Sequence, residues 1–499
     1  MSASAPSPPS SPPYSQQPPF GLPAPLDKDG DAESEYDETL MSCFGTISIS
    51  SVATPERSIA GAQKDYPGPH FSSRATTGPD AGPLIDRFSC LFKNQYDADT
   101  NPHGIVSLGV AENFLMQQEC FEIFTSALKN MTPLDLSYGD SLWGSRRINK
   151  ALSGFLNDYF HPVTEIKPDH LITGVGCSAV LDQLFYTLLD EGDAILVAAP
   201  YYTGFDRDLI SRGKVKLIPI HLPIERTFTP EGLELFEAKY EELKKEGTRV
   251  RAVIVCNPQN PMGRPYPRET LLAYARFCEE KDLHLVSDEI YGMSVYENAK
   301  YPGAVPFTSF LSLDSDKELP GITFEKARLH VVYGMGKDFC ANGFRIGALI
   351  TPANPTLIRT MANTSKLMKL SSPADIIWSS LLNDKKTLSN FLKTNKERLG
   401  EAQAFVRNWF EERGVVVADS NAGNFVWVNI GERLGGIDIA TEKNIFQKLL
   451  DSGVYIGPGT AYHYDVPGWY RITFSVARKN LLTGLERIER ILGFQPLKK

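Results

Sequence analysis

Between residues 169 and 291, short runs of apolar and β-branched residues alternate with longer stretches in which apolar positions recur at helical spacing. The runs at 170–175, 194–200, 214–220, 250–258, 283–291 and 329–333 read as strands. Stretches 179–189, 230–245 and 269–281 read as helices between them. This alternation predicts an α/β fold built on a mostly parallel, doubly wound sheet, which places ligands at the carboxyl ends of its strands. Upstream, 104–113 reads as a strand running into a polar turn, 121–130 as a short helix and 146–160 as another helix. Beyond 352 the pattern changes. Helices are expected at 355–370, 374–382 and 386–413, strands at 414–419, 424–430, 453–457 and 470–476, and a closing amphipathic helix at 481–492. Strands and helices grouped in that way suggest a smaller α+β domain. The expected division is a large domain over 131–352 and a small domain over 84–130 plus 353–499. Residues 1–83 are rich in Pro, Ser and Gly and carry no sustained apolar period, so they read as a disordered tail.

Composition narrows the partners. With 499 residues, 42% of them apolar, the chain can bury a large core. Its net charge of −9 supplies no basic field for nucleic acid or an anionic membrane, so a small molecule is the expected partner. Seven cysteines are scattered without C-x-x-C pairs, as in a protein of a reducing compartment. The most apolar early run, 40–53, is interrupted by serines and too short to span a bilayer. Acidic residues between Asp27 and Glu35 oppose a transit peptide. A cytoplasmic protein is expected.

Candidate chemistry gathers where strands end. The stretch VVYGMGKDFCANGFRIG, 331–347, sets Lys337 between glycines just after a strand, with Arg345 eight positions later. A lysine in such a loop can be buried and lose its charge, as a Schiff-base amine must, and the arginine can clamp an anion. Gly174-Val175-Gly176-Cys177-Ser178-Ala179 follows a strand and opens a helix, so its amides can cradle a phosphate. It also fits a dinucleotide fingerprint, although the next strand ends in Pro200-Tyr201-Tyr202 with no acidic residue for a ribose. Asn260 follows one strand, and Asp288 and Tyr291 end another. Each has an ordinary structural reading as a turn or cap. As an ordered set, amine, carboxylate, amide, phenol, arginine and phosphate cradle are the groups that bind an aldehyde cofactor with a pyridine nitrogen, a phenolic oxygen and a phosphate.

Segments including NQYDADTNPHGIVSLGVAEN, PYYTGFDRDL, CNPQNPMG, SDEIY, GKDFCANGFRIG and GPGTAYHYDVPGWYRITF resemble the fold-type I pyridoxal-phosphate enzymes of the class I/II aminotransferase family, and more narrowly its 1-aminocyclopropane-1-carboxylate (ACC) synthase branch. The resemblance runs from Asn94 into the C-terminal lobe. It implies pyridoxal 5′-phosphate as cofactor, an amino-acid substrate and a homodimer. It also implies that Lys337 forms the internal aldimine and moves the Cα proton, that Asp288 pairs with the pyridine nitrogen, and that Tyr291 and Asn260 bond the ring oxygen. Tyr202 corresponds to the stacking aromatic, Gly176, Cys177, Ser178 and Arg345 to the phosphate site, and Arg471 to the grip on the substrate carboxylate. Glu112 is implied in the substrate pocket, and Tyr138 is a candidate for the tyrosine that crosses between subunits. The chain departs from the pattern at Gly334 and Gly336, where serines are usual, and at Cys177, where threonine is common in the branch. At the branch's tyrosine spacing the chain has Leu142. Transamination is the expected reaction, with elimination, either ACC formation or carbon–sulfur cleavage, and a non-catalytic cofactor binder as alternatives.

Overall fold

Seven strands form the central sheet in the order β2-β8-β7-β6-β5-β3-β4. In chain order they are β2 (Leu171–Gly174), β3 (Ala194–Ala199), β4 (Lys216–His221), β5 (Val250–Cys256), β6 (His284–Asp288), β7 (Leu329–Gly334) and β8 (Gly347–Ile350). Pairings from β4 to β7 are parallel, and β8 alone runs against both its neighbours. The interior strands are buried along nearly their whole length, which explains their continuous apolar runs. Pro219 lies in β4, an edge strand, where a missing amide costs no ladder bond.

Both faces of this sheet are covered. Val253 and Val255 join a core with Leu152 and Phe155 of helix α1 (Arg146–Tyr159) and with Trp378. Ala252 and Ile254, alternating with them along β5, join a second core with Val180 and Leu184 of helix α2 (Cys177–Leu188). Period-two alternation of side chains thus feeds two layers of helices, the doubly wound α/β architecture the sequence predicts. The computed structural model describes residues 89–496, so the expected tail lies outside the described residues.

Toward the C-terminus a four-stranded sheet has the order β12-β13-β10-β9, with β9 at Val416–Val417 and β12 at Gly457–Pro458. Its central strands are β10 (Phe425–Asn429) and β13 (Trp469–Thr473), paired antiparallel with Trp427 opposite Arg471. The expected strand at 104–113 shrinks to β1 (Val106–Ser107), which pairs with β11 (Val454–Tyr455). The rest leaves the ladder and offers its carbonyls to the functional cleft. The expected helix at 355–370 ends at Ala362, and a 3-10 turn follows over Ser365–Met368. At the break the Thr364 hydroxyl is taken up by the side chain of Gln183 on α2.

Candidate active site

Lys337 and Arg345 share one loop, 335–346, between antiparallel β7 and β8. Lys337 turns into a cleft at the carboxyl ends of β5, β6 and β7, and its Nζ donates to the Ala111 carbonyl at 2.6 Å. Burial first, then the cations Arg471 and Arg345, brings its pKa down to about 8. The next residue points the other way. Asp338 is fully buried, and its Oδ2 accepts from the Met293 amide at 2.8 Å and the Tyr333 hydroxyl at 2.9 Å. Its Oδ1 accepts from Ser294. Asp338 therefore pins the loop to the turn after β6 while Lys337 stays free to face the cleft.

The glycines before the lysine have different reasons. A Cβ on Gly334 would lie 2.5 Å from the Ile346 carbonyl oxygen and 2.9 Å from Cys177 Sγ. Neighbouring backbone and the Cys177 thiol leave no room there for a serine. A Cβ on Gly336 meets only the Asn342 side chain, at 2.9 Å.

Helix α2 opens against this loop. Gly176 has φ +94°, and a Cβ there would lie 2.4 Å from the Arg345 guanidinium. A Cβ on Gly347 would lie 2.5 Å from the Cys177 amide nitrogen. Bare backbone at both positions lets the start of the helix, β8 and Arg345 meet closely. Arg345 itself sits in the left-handed region at φ +55°, which costs a non-glycine residue about 1–2 kcal/mol. Its Nη1 donates to the Asn342 carbonyl at 3.0 Å.

Asp288 ends β6 beside Cys256 of β5. The Ile290 amide donates to its Oδ1 at 3.3 Å, and among the described residues no cation pairs with it. Burial pushes its carboxyl up to about 7. Tyr291 is buried, edge-on to Phe425 at 5.4 Å. Arg471 connects the two sheets at this point. Its Nη1 donates to Asn260 Oδ1 at 2.9 Å and its Nη2 to the Gly109 carbonyl at 2.5 Å, while its Nε is buried with no partner. Phe425 and Tyr462 flank its guanidinium at 4.8 and 5.0 Å.

The cleft holds about 150 Å³ and opens to solvent. Size alone does not select it, because a shallower hollow beside Phe114 and Arg398 holds about 550 Å³. Converging polar groups do. Gly176, Cys177, Ser178, Tyr202, Asn260, Asp288, Tyr291, Lys337 and Arg345 all line the first cleft, as the sequence reading grouped them. Arg471 reaches it through Asn260. Glu112 lies close enough for its charge to raise the pKa of Lys337, and its carbonyl accepts from Ser475. Tyr138 is 75% exposed and is not among the residues lining the cleft. Sequence reasoning missed Asp338, the carbonyls of Gly109 and Ala111, and Asp208, which also lines the cleft. Of these, only Asp338, adjacent to the lysine, carried a local signal.

The donor set fits pyridoxal phosphate. An amine with a lowered pKa, a buried carboxyl without a cation, and an arginine over a bare helix start meet an aldehyde, a basic ring nitrogen and a phosphate respectively.

Residues 104–488 match the family described as aminotransferase class I and II. A probable aminotransferase, aclI, of Aspergillus oryzae is 33% identical over 78% of this chain and 91% of its own length. 1-aminocyclopropane-1-carboxylate synthase 7 of Arabidopsis thaliana is 30% identical over 84% of this chain and 93% of its own. The solved structure of Thermus thermophilus aspartate aminotransferase with maleate superposes with a TM-score of 0.67 at 22% identity, covering 85% of this chain and all of that one.

Proposed function

The chain belongs to the aminotransferase class I and II family, and from that membership we propose how the residues of its cleft divide the work. The protein is a pyridoxal-phosphate-dependent enzyme of aminotransferase type, acting on a small-molecule amino acid. When bound, the cofactor supplies an electron sink for the pair left on the amino acid's α carbon. Lys337 holds its aldehyde through the amine, then takes the α proton and returns it; the lowered pKa keeps more of that amine neutral near pH 7. Asp288 keeps the ring nitrogen protonated, and the resulting cation would draw its own carboxyl back to the charged form. Tyr291 and Asn260 hold the ring oxygen, and Tyr202 covers the ring face. Gly176, Cys177, Ser178 and Arg345 hold the phosphate. Arg471 orients the substrate carboxylate. One observation carries the reading: the amine, the cation-free carboxyl and the arginine over a bare helix start share a single cleft. Purified protein should absorb as a lysine-bound cofactor, with a band that borohydride removes. Lys337→Ala should lack the band, and a normal band in that variant refutes the assignment.

We assign transamination as the reaction, and the similarity to ACC synthases supports elimination from the β or γ carbon as a second reading. Glu112, at the lysine's edge of the cleft, borders the substrate in both. Enzyme mixed with amino acids, S-adenosylmethionine and S-substituted cysteines, without a keto-acid acceptor, separates the two. Stoichiometric conversion of the cofactor to its amine form marks transamination. Catalytic release of ammonia and a keto acid, or of ACC, marks elimination.

The assembly we propose is a homodimer in the cytosol, with lobes 84–130 plus 353–499 and 131–352. Leu136, Leu367 and Tyr138 are 82%, 80% and 75% exposed, which leaves these side chains available for a partner subunit to cover. Among the described residues Cys120, Cys177, Cys256, Cys278 and Cys340 form no disulfide, and no helix among them is long and apolar enough to cross a membrane.

A further inference from the structure

The phosphate end of the cleft contains a carboxylate that the anion-binding role of that end does not explain. Asp208 closes a four-residue helix, Phe205–Asp208, just beyond β3, and it lines the cleft. Ser178, at the start of α2, lines the same cleft, and its hydroxyl favours the charged form of that carboxylate. Arg345 lies near enough to attract it, and its charge in turn disfavours that of Asp288. An anionic side chain beside the hydroxyl and guanidinium of a phosphate cradle is a conflict. Phosphate monoesters lose their second proton near pH 6, so at neutral pH a dianion would meet a carboxylate inside the cleft. Two such anions within one site share a proton instead of both ionising.

We propose that Asp208 is the proton-holding residue of the phosphate subsite: it is protonated when the cofactor is bound and donates to the phosphate, so cofactor capture takes up one proton from solvent. This rests on the assignment of the cleft to pyridoxal phosphate and adds to it a residue and an ionisation state. The charges around Asp208 are consistent with this sharing. Asp182 on α2 opposes its ionisation, Arg207 on its own helix and Arg345 on the β7–β8 loop favour it, Asp208 in turn opposes the ionisation of Asp288 on β6, and Tyr202 beside it has its phenol held neutral by burial. Burial comes first among these influences and moves the Asp208 carboxyl upward even with the cleft open. A phosphate in the cleft moves it in the same direction. The other acid on Asp208's helix, Asp206, is occupied elsewhere, accepting from Tyr201 and His463 at 2.7 Å each.

The sign follows from linkage. A proton taken up on binding favours the complex at low pH, and affinity falls by up to about tenfold per pH unit until the bound pair's own pKa is passed. The test uses cofactor-free full-length protein and pyridoxamine 5′-phosphate, whose amine cannot condense with Lys337. Calorimetry at pH 8 in two buffers of different ionisation enthalpy counts the protons. The native protein should take up about one proton more than Asp208→Asn, whose affinity should depend less steeply on pH between 7 and 9. Asp208→Ala is the second variant and should match Asp208→Asn. Equal proton counts in native and variant proteins, or no uptake by the native protein alone, overturn the inference while leaving the cofactor assignment in place. Failure of the native protein to bind pyridoxamine 5′-phosphate at all overturns both. A role confined to holding helix structure would change affinity at every pH alike and leave the proton count unmoved, which also counts against it.

Discussion

Gly334 and Gly336 stand two residues apart and answer to different constraints. At Gly336 only a mobile asparagine side chain crowds a new Cβ, so Gly336→Ser should fold and return a hydroxyl to the phosphate end. A neutral hydrogen bond is worth about 1 kcal/mol, so cofactor affinity should rise roughly three- to tenfold by equilibrium dialysis. Gly334→Ser drives its Cβ into a backbone carbonyl and should lower stability by about 1–3 kcal/mol in urea unfolding. Glu289 makes a pH prediction. It is fully buried, accepts from Ser287, Ser309 and the Phe310 amide, and burial nonetheless lifts its carboxyl to about 7. Because the folded value exceeds the unfolded one, its contribution is complete below about pH 4.5 and is lost as pH rises through 7. Glu289→Gln should therefore flatten the fall in unfolding free energy between pH 5 and 7. An unchanged slope would show that another group titrates.

At the scale of elements, the β7–β8 loop depends on Asp338. Asp338→Ala leaves the Met293 amide, the Tyr333 hydroxyl and the Ser294 hydroxyl without their acceptor in a dry core. The expected cost is about 3–5 kcal/mol, read as a lower denaturant midpoint with an unchanged m value. Asp338→Asn should lose less, since one oxygen remains. What could be read from sequence follows from range. The strands β3, β5 and β6, the helix at 177–188 and the lysine loop announce themselves through periodicity and local glycines, and the doubly wound sheet follows from their order. β1 was overestimated because its second half has strand-like residues but spends its carbonyls on Lys337 and Arg471, partners 226 and 362 positions away. Asp208 was illegible for the same reason. The segment PYYTGFDRDL that contains it resembles the family but gives this acid no role of its own, and only the fold brings it into the cleft that Ser178 and Arg345 line.

For the molecule as a whole, the exposed apolar surface around Leu136 and Tyr138 bears on how many chains make a working unit. If Tyr138 serves the cleft of a partner subunit, Tyr138→Ala and Lys337→Ala damage different copies of the site. Each variant alone should be nearly inactive. Mixed by co-expression, random pairing restores one intact site in half of the dimers, about a quarter of native activity. Sedimentation of the native protein as a monomer at micromolar concentration, with full turnover, would exclude the arrangement. The position of β8 has a consequence in time. β2 is complete at residue 174, yet its neighbour in the sheet, β8, begins at 347. At roughly 5–20 residues per second, a ribosome leaves that apolar strand without its partner for about ten to thirty-five seconds. The same delay separates the bare helix start at Gly176 from the arginine that covers it. The nascent chain must therefore be shielded by the ribosome or by a chaperone while an edge of its future sheet stands open, and its cleft lacks Lys337 and Arg345 until both have been made.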